Sequence, residues 1–219
     1  MSSLTLVIGS KNYSSWSLRP WLLLRQFGVP FTEIKLPLDT PEFYARIGGY
    51  TPSGRVPVLL DGDVQVWDSL AIAEYANERY LDGRGWPRAS AARAQARSVS
   101  AEMHAGFTAL RAAMPMNCRK RVRNHVLNPD AARDVARVKA IWREAKRVFG
   151  SDGPFLYGGF SIADAMYAPV VLRFVSYDVA LDASERTYVD TILGLLALRE
   201  WLQETQTEPI AVLHEKDTP

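Results

Sequence analysis

The apolar and polar positions of this chain switch between strand-like and helical spacing up to about residue 80, and beyond it they recur at helical spacing alone. Leu4 to Gly9 is a continuous apolar run that suits a strand buried on both faces, and Ser10 to Ser15 is a polar loop. A helix follows. Pro20 is expected in its first turn, where a missing N–H costs nothing, so the helix should begin near Ser15 to Ser17 and end at Gly28, before Pro30. Phe31 to Leu36 alternates like a second strand, and Pro41 to Ile47 reads as one or two helical turns. Thr51 to Tyr80 then holds an apolar run, a reversal at Asp61-Gly62-Asp63, a second run VQVW, and a switch to helical periodicity at Asp68-Ser69, where Ser69 is the expected N-cap. Pro57, inside VPVLL, cannot donate to a ladder and implies either an edge strand or a cis peptide bond. The order is β, α, β, short α, β, β, α, and the crossover helix makes the first two strands parallel.

Leu81 to Pro87 (LDGRGWP) has the composition of a linker. The pattern therefore divides the chain into an α/β unit at 1–81, a linker at 82–88 and an all-helical unit at 89–219. In the helical unit, Ala89 to Met114 reads as one alanine-rich helix, Pro115 to Asn128 as a polar break and Pro129 to Phe149 as a second amphipathic helix. Ser161, three residues before Asp164 and preceded by Phe160, marks the start of a third helix running to about Tyr177. Shorter helices are expected at Glu185 to Leu195 and Leu198 to Thr205.

Composition narrows the chemistry. With 219 residues, 47% of them hydrophobic, the chain can bury a substantial core, and a net charge of +2 gives no reason to expect a nucleic-acid partner. Residues 111–147 hold eleven basic side chains against three acidic ones, which reads either as a solvated helix face or as an electrostatic lure for anions. The single cysteine, Cys118, excludes an intrachain disulfide, CxxC redox chemistry and a zinc finger, and it is expected to be an inert thiol in a reducing cytoplasm. No apolar run approaches the length of a membrane span, and no targeting signal is expected. His104, His125 and His214 lie far apart in sequence, so neither a metal site nor a triad emerges.

Four blocks together resemble the cytosolic glutathione transferases along nearly the whole chain: NYSSWSLR at Asn12 to Arg19, GRVPVL at Gly54 to Leu59, Asp68-Ser69, and the Ser161 to Asp164 box after Gly158-Gly159. The first is similar to the active-site loop of the zeta class and, more loosely, to serine-type tau and theta loops. The resemblance implies a thioredoxin-like α/β domain followed by an all-α domain, a cis Pro57 and a homodimer. It also implies glutathione as co-substrate, a small electrophile as second substrate, and no metal.

An enzyme of this kind must stabilise an anionic sulfur, because a free thiol has a pKa of about 8.5. The resemblance puts Ser14, just ahead of a helix N-terminus, in that role, with Ser15 as understudy; otherwise the loop serines only cap the helix. Tyr13 is the phenolic competitor, but tyrosine-type classes carry theirs earlier, near the end of the first strand. Trp16 stands where the zeta class has cysteine, which argues against chemistry through an enzyme thiol. The backbone of Val56 before Pro57 would pair with the peptide part of glutathione, Ser69 would face the γ-glutamyl carboxylate and Asp68 its ammonium. Asp68 is one methylene shorter than the glutamate more usual there. Arg55, in place of lysine or glutamine, would face the glycyl carboxylate or remain a solvated charge.

For the second substrate, Met103, Phe107, Leu110 and Met114 form a helical stripe that reads as core or as pocket lining, beside His104 and Arg111. The stretch EMHAGF…PMN resembles a bacterial transferase subgroup, which makes His104 and Arg111 candidates for substrate contact. Two alternatives remain: a glutathione-dependent cis-trans isomerase like maleylacetoacetate isomerase, and a non-catalytic interaction module of the same fold. Against the isomerase, the arginine that class carries in its sixth helix does not align cleanly here, since Ser176 holds that register and Arg173 is only near it.

Overall fold

The computed structural model describes residues 4–209. Strands β1 (Thr5–Gly9), β2 (Thr32–Leu36), β3 (Val58–Asp61) and β4 (Val64–Trp67) form one sheet in the order β2-β1-β3-β4, in which β1 and β2 are parallel and the other pairs antiparallel. Helices α1 (Ser15–Gln26), α2 (Pro41–Ile47) and α3 (Ser69–Arg79) complete this thioredoxin-like α/β domain. The helical domain contains α4 (Ser90–Ala105), α5 (Thr108–Ala113), α6 (Pro129–Phe149), α7 (Ile162–Ser176), α8 (Ala183–Leu193) and α9 (Leu196–Thr205). The last ten residues of the expected helical unit, His214 among them, lie outside the described residues.

One apolar core runs through both domains. Helix α7 is buried along almost its whole length, as an all-round apolar helix must be, and it packs directly on α1. Leu18, Leu22, Met166 and Val171 are fully buried there, each contributing about 1.5–3 kcal/mol of transfer free energy. Asp164 reaches back to the Ser161 N–H at 2.9 Å, forming the expected capping box, and also accepts from the Leu156 N–H and the Tyr188 hydroxyl, both at 3.2 Å. Burial pushes this carboxyl up to about 6 even though all these donors favour its charged form. At Gly85, in the linker, an added Cβ would meet the Asn77 Oδ1 at 2.7 Å, while Gly85 itself bonds the Asn77 side chain and the first N–H of α7.

Four local expectations change. Pro20 is the sixth residue of α1 rather than a first-turn residue, because Ser14 caps the helix and starts it early. The ring removes only the donor that would have met the Trp16 carbonyl. Pro57 precedes β3, which is paired on both sides, so the edge-strand reading fails; the Val56–Pro57 peptide bond is cis. The single helix expected from Ala89 to Met114 breaks at Gly106 and Phe107. Glycine is the residue least suited to a helix interior after proline, and Phe107 adopts a left-handed conformation with φ 59°. Finally, Asp68 rather than Ser69 is the N-cap of α3: its carboxylate accepts from the N–H groups of Leu70 and Ala71, and its own φ is 80°.

Candidate functional site

The site begins where β1 runs out. Gly9 donates its N–H to the Ser17 hydroxyl at 3.1 Å, and Ser14 donates its own hydroxyl to the same oxygen at 2.7 Å while accepting from the Ser17 N–H. The Ser14 proton is therefore committed to α1. Ser15, the first residue of the helix, differs: its oxygen accepts from the Arg173 guanidinium of α7 at 3.2 Å, which leaves the hydroxyl hydrogen to be directed elsewhere. Both serines are buried.

Around them lie Arg19, Arg111 and Arg173. Arg19 and Arg111 flank the Trp16 ring at 4.2 and 4.7 Å, and Arg19 extends to the Ser69 hydroxyl at 3.4 Å, tying α1 to the start of α3. Arg111 donates to the carbonyls of Met103 and His104, and Arg173 to those of Met114 and Arg111. Among the described residues none of these guanidiniums has an ion pair, and Nε of Arg19 is buried without a partner. Burial first, then repulsion from Arg111 and Arg173, lowers Arg19 to about 9; burial and Arg111 lower Arg173 to about 10. Burial also lowers Arg111. Even so, Arg19 and Arg173 are cations at neutral pH, and the cluster favours an anion beside it.

Asp68 borders this cluster from the α3 side. His104 Nε2 lies 2.6 Å from its carboxylate, and the His104 ring meets Trp16 edge-on at 5.4 Å. Burial would raise the Asp68 carboxyl, but the His104 contact and the Leu70 and Ala71 N–H groups outweigh it and hold the acid below its ordinary range. Ser14, Ser15, Asp68, Ser69, His104 and Arg111 are thus brought into one neighbourhood. Met103 and Phe107 are core residues, 1% and 7% exposed. Val56 is half-buried, Pro57 is buried, and Arg55 is exposed, with no ion pair among the described residues. Cys118 is buried against the Lys11 carbonyl. Among the described residues no group of His, Cys, Asp or Glu could hold a metal ion, and no helix is long and apolar enough to cross a membrane.

Two participants escaped sequence reasoning. Arg19 sat inside NYSSWSLR with no role assigned. Arg173 was set aside on register, although an arginine inside the apolar run AMYAPVVLRFVS is a buried charge calling for an explanation.

Comparison with known proteins agrees with this architecture. Residues 13–79 match the family model for the glutathione S-transferase N-terminal domain, and residues 128–204 match that for the C-terminal domain. Dichloromethane dehalogenase of Methylorubrum extorquens is 42% identical over 62 residues, 27% of this chain and 21% of the relative. That of Methylophilus leisingeri is 44% identical over 48 residues, 22% of this chain and 17% of the relative. The matched stretches thus span about a fifth of those curated relatives. Among solved structures, a glutathione transferase homolog from Burkholderia with bound glutathione superposes with TM-score 0.71 at 20% identity, covering 94% of this chain and 100% of that one. A glutathione S-transferase from the Antarctic clam Laternula elliptica gives 0.70 at 17%, covering 94% and 95%. The nitrogen regulation fragment of the yeast prion protein Ure2p gives 0.68 at 18%, covering 92% and 96%.

Proposed function

The chain belongs to the glutathione S-transferase superfamily, and from that premise we propose that it is a glutathione transferase whose thiol-activating residue is Ser15, with Ser14 holding the turn beneath it. The observation that carries the assignment is the Arg173 guanidinium on the Ser15 oxygen. With its oxygen held there, the hydroxyl hydrogen is available to the sulfur, whereas the Ser14 hydrogen is spent on Ser17. Lowering the thiol pKa by two units requires about 2.7 kcal/mol, within reach of one directed hydrogen bond, the helix N-terminus and a nearby uncompensated cation.

Glutathione has matching groups for the rest of the site. Its γ-glutamyl carboxylate meets Arg19 and Ser69, which supplies a partner for the orphaned side of Arg19, and its ammonium meets Asp68. The cysteinyl backbone pairs with Val56 before Pro57, and Arg55 faces the glycyl carboxylate. The thiol proton goes to solvent, the thiolate attacks the electrophilic carbon, a C–S bond forms, and the leaving group departs with its bonding pair. The name shared by the two curated relatives makes displacement of halide from a small halogenated substrate the first chemistry to try. A homodimer in a reducing cytoplasm is part of the same proposal.

A second reading, the glutathione-dependent isomerase, gains one observation: Arg173 does reach the active-site loop despite its register. Assaying halogenated compounds, peroxides and maleylacetoacetate side by side separates the two. Thiolate absorbance of bound glutathione against pH tests the core assignment. Ser15→Ala should move the titration up by at least one unit and Ser14→Ala by less; an unmoved Ser15→Ala curve removes Ser15 from its role. A protein that glutathione agarose does not retain is instead the non-catalytic interaction module.

A further inference from the structure

The loop that delivers the two serines is held from the opposite end of the chain. Glu208, just beyond α9 and 7% exposed, accepts from the Lys11 N–H at 2.7 Å with one carboxylate oxygen and from the Asn12 N–H at 2.9 Å with the other. Lys35 pairs with the same carboxylate at 3.2 Å, and Arg119 donates to the Glu208 carbonyl at 3.0 Å. The Lys11 side chain, with no exposure, lies between the Trp21 and Trp201 rings and reaches Glu33 and Glu204 at 2.8 and 2.7 Å. The Lys11 carbonyl takes the Trp201 indole N–H, and the Asn12 carbonyl takes the Cys118 N–H. Two residues further on, the Ser14 N–H closes on the Ser10 carbonyl at 2.8 Å.

We propose that Glu208 is a positioning residue for thiol activation, gripping two consecutive loop N–H groups and thereby setting how Ser14 and Ser15 face the sulfur. This rests on the reading of the chain as a glutathione transferase. A carboxylate can take two parallel N–H bonds at once, which an amide or hydroxyl cannot do with equal strength. Without it two buried donors lose their acceptor and the loop must turn to find another. A misplacement of about 1 Å at such a site costs up to roughly a hundredfold in rate.

The test compares the bound-thiol titration, kcat, KM for glutathione and melting temperature of wild type, Glu208→Gln, Glu208→Asp and, as a control for a lost helix cap outside the loop, Asp182→Ala. Glu208→Gln should raise the bound-thiol pKa and lower kcat about tenfold with KM changed less than about twofold, and Glu208→Asp should recover part of both. Asp182→Ala should lower the melting temperature without moving the thiol titration. A Glu208→Gln protein that melts earlier but titrates like wild type overturns the proposal and leaves the transferase reading intact. A wild type that titrates like free glutathione overturns both. Should Glu208→Gln fail to fold, amide hydrogen exchange of the wild type decides: Lys11 and Asn12 should be protected, and exchange at solvent-exposed rates overturns the clamp.

Discussion

Replacing Arg173 by methionine isolates the electrostatic part of thiol activation. The guanidinium lies 3.2 Å from the Ser15 oxygen, and a thiolate accepting the Ser15 hydrogen sits roughly another 3 Å beyond. At roughly 6 Å, with an effective dielectric of about 20, the attraction is on the order of 3 kcal/mol, or about two pKa units as an upper figure. Arg173 is 6% exposed and has no ion pair among the described residues, so little of this field is cancelled locally. Water that enters in place of the guanidinium screens part of this, which brings the expected rise in bound-thiol pKa to between about one and two units. Its pKa of about 10 keeps Arg173 charged throughout the titration of the thiol. Spectrophotometric titration of the glutathione complex, with glutathione affinity measured in parallel, reads this directly. An Arg173→Met complex whose thiol titrates within a few tenths of a unit of wild type would refute the electrostatic reasoning and reduce Arg173 to a packing residue of α7. Lysine at this position should recover the charge but only part of the effect, since it lacks the planar fork that also serves the Met114 and Arg111 carbonyls.

Two further outcomes concern buried titratable groups. Asp164 has its carboxyl raised by burial to about 6, so its contribution is greatest below its unfolded value of about 4 and is lost as pH rises through 6. Asp164→Asn removes that titration, and urea unfolding at stepped pH should lose the corresponding slope between about pH 4 and 6, an unchanged slope counting against the assignment. Cys118 is pushed up to about 12, by burial above all. It should therefore resist a disulfide reagent at about pH 8 in the native protein and react at once when the chain is unfolded; labelling of the native state at the rate of a free thiol would refute its burial.

Local periodicity is enough to read the strands and the capping box at α7, because each depends on residues within one turn or one pleat of each other, and the parallel β1–β2 pair follows from the helix that crosses between them. Periodicity fails where a local preference is overridden. Pro20 looked like a first-turn residue until the Ser14 cap set the helix start, and Gly106 with Phe107 broke what reads as one alanine-rich helix. Asp68 and Ser69 are equally good N-cap residues, and the left-handed backbone at Asp68 turns its carboxylate onto the helix. The serines of the loop were legible, but their division of labour was not. It depends on Arg173, 158 positions away from Ser15, and the loop itself on Glu208, 197 positions from Lys11. No spacing rule connects positions so distant.

The distribution of these contacts explains why the two domains share one core. The α/β domain supplies the serines, the Val56 backbone and the start of α3. Arg111 and Arg173, the His104 partner of Asp68 and the clamp on the Ser10–Ser14 loop all come from the other half. Burying a guanidinium without a carboxylate costs several kcal/mol, so the fold must hold these side chains in place against their tendency to reach water. The α1–α7 interface does this with fully buried leucine, methionine and valine side chains, while the Arg111 and Met114 carbonyls and the Ser15 oxygen hold the guanidinium. An uncompensated cation kept there at a cost in stability is the arrangement a site needs if it is to favour an anionic sulfur over a neutral thiol. Separating the domains would return Arg173 to solvent and leave the serines as simple helix caps.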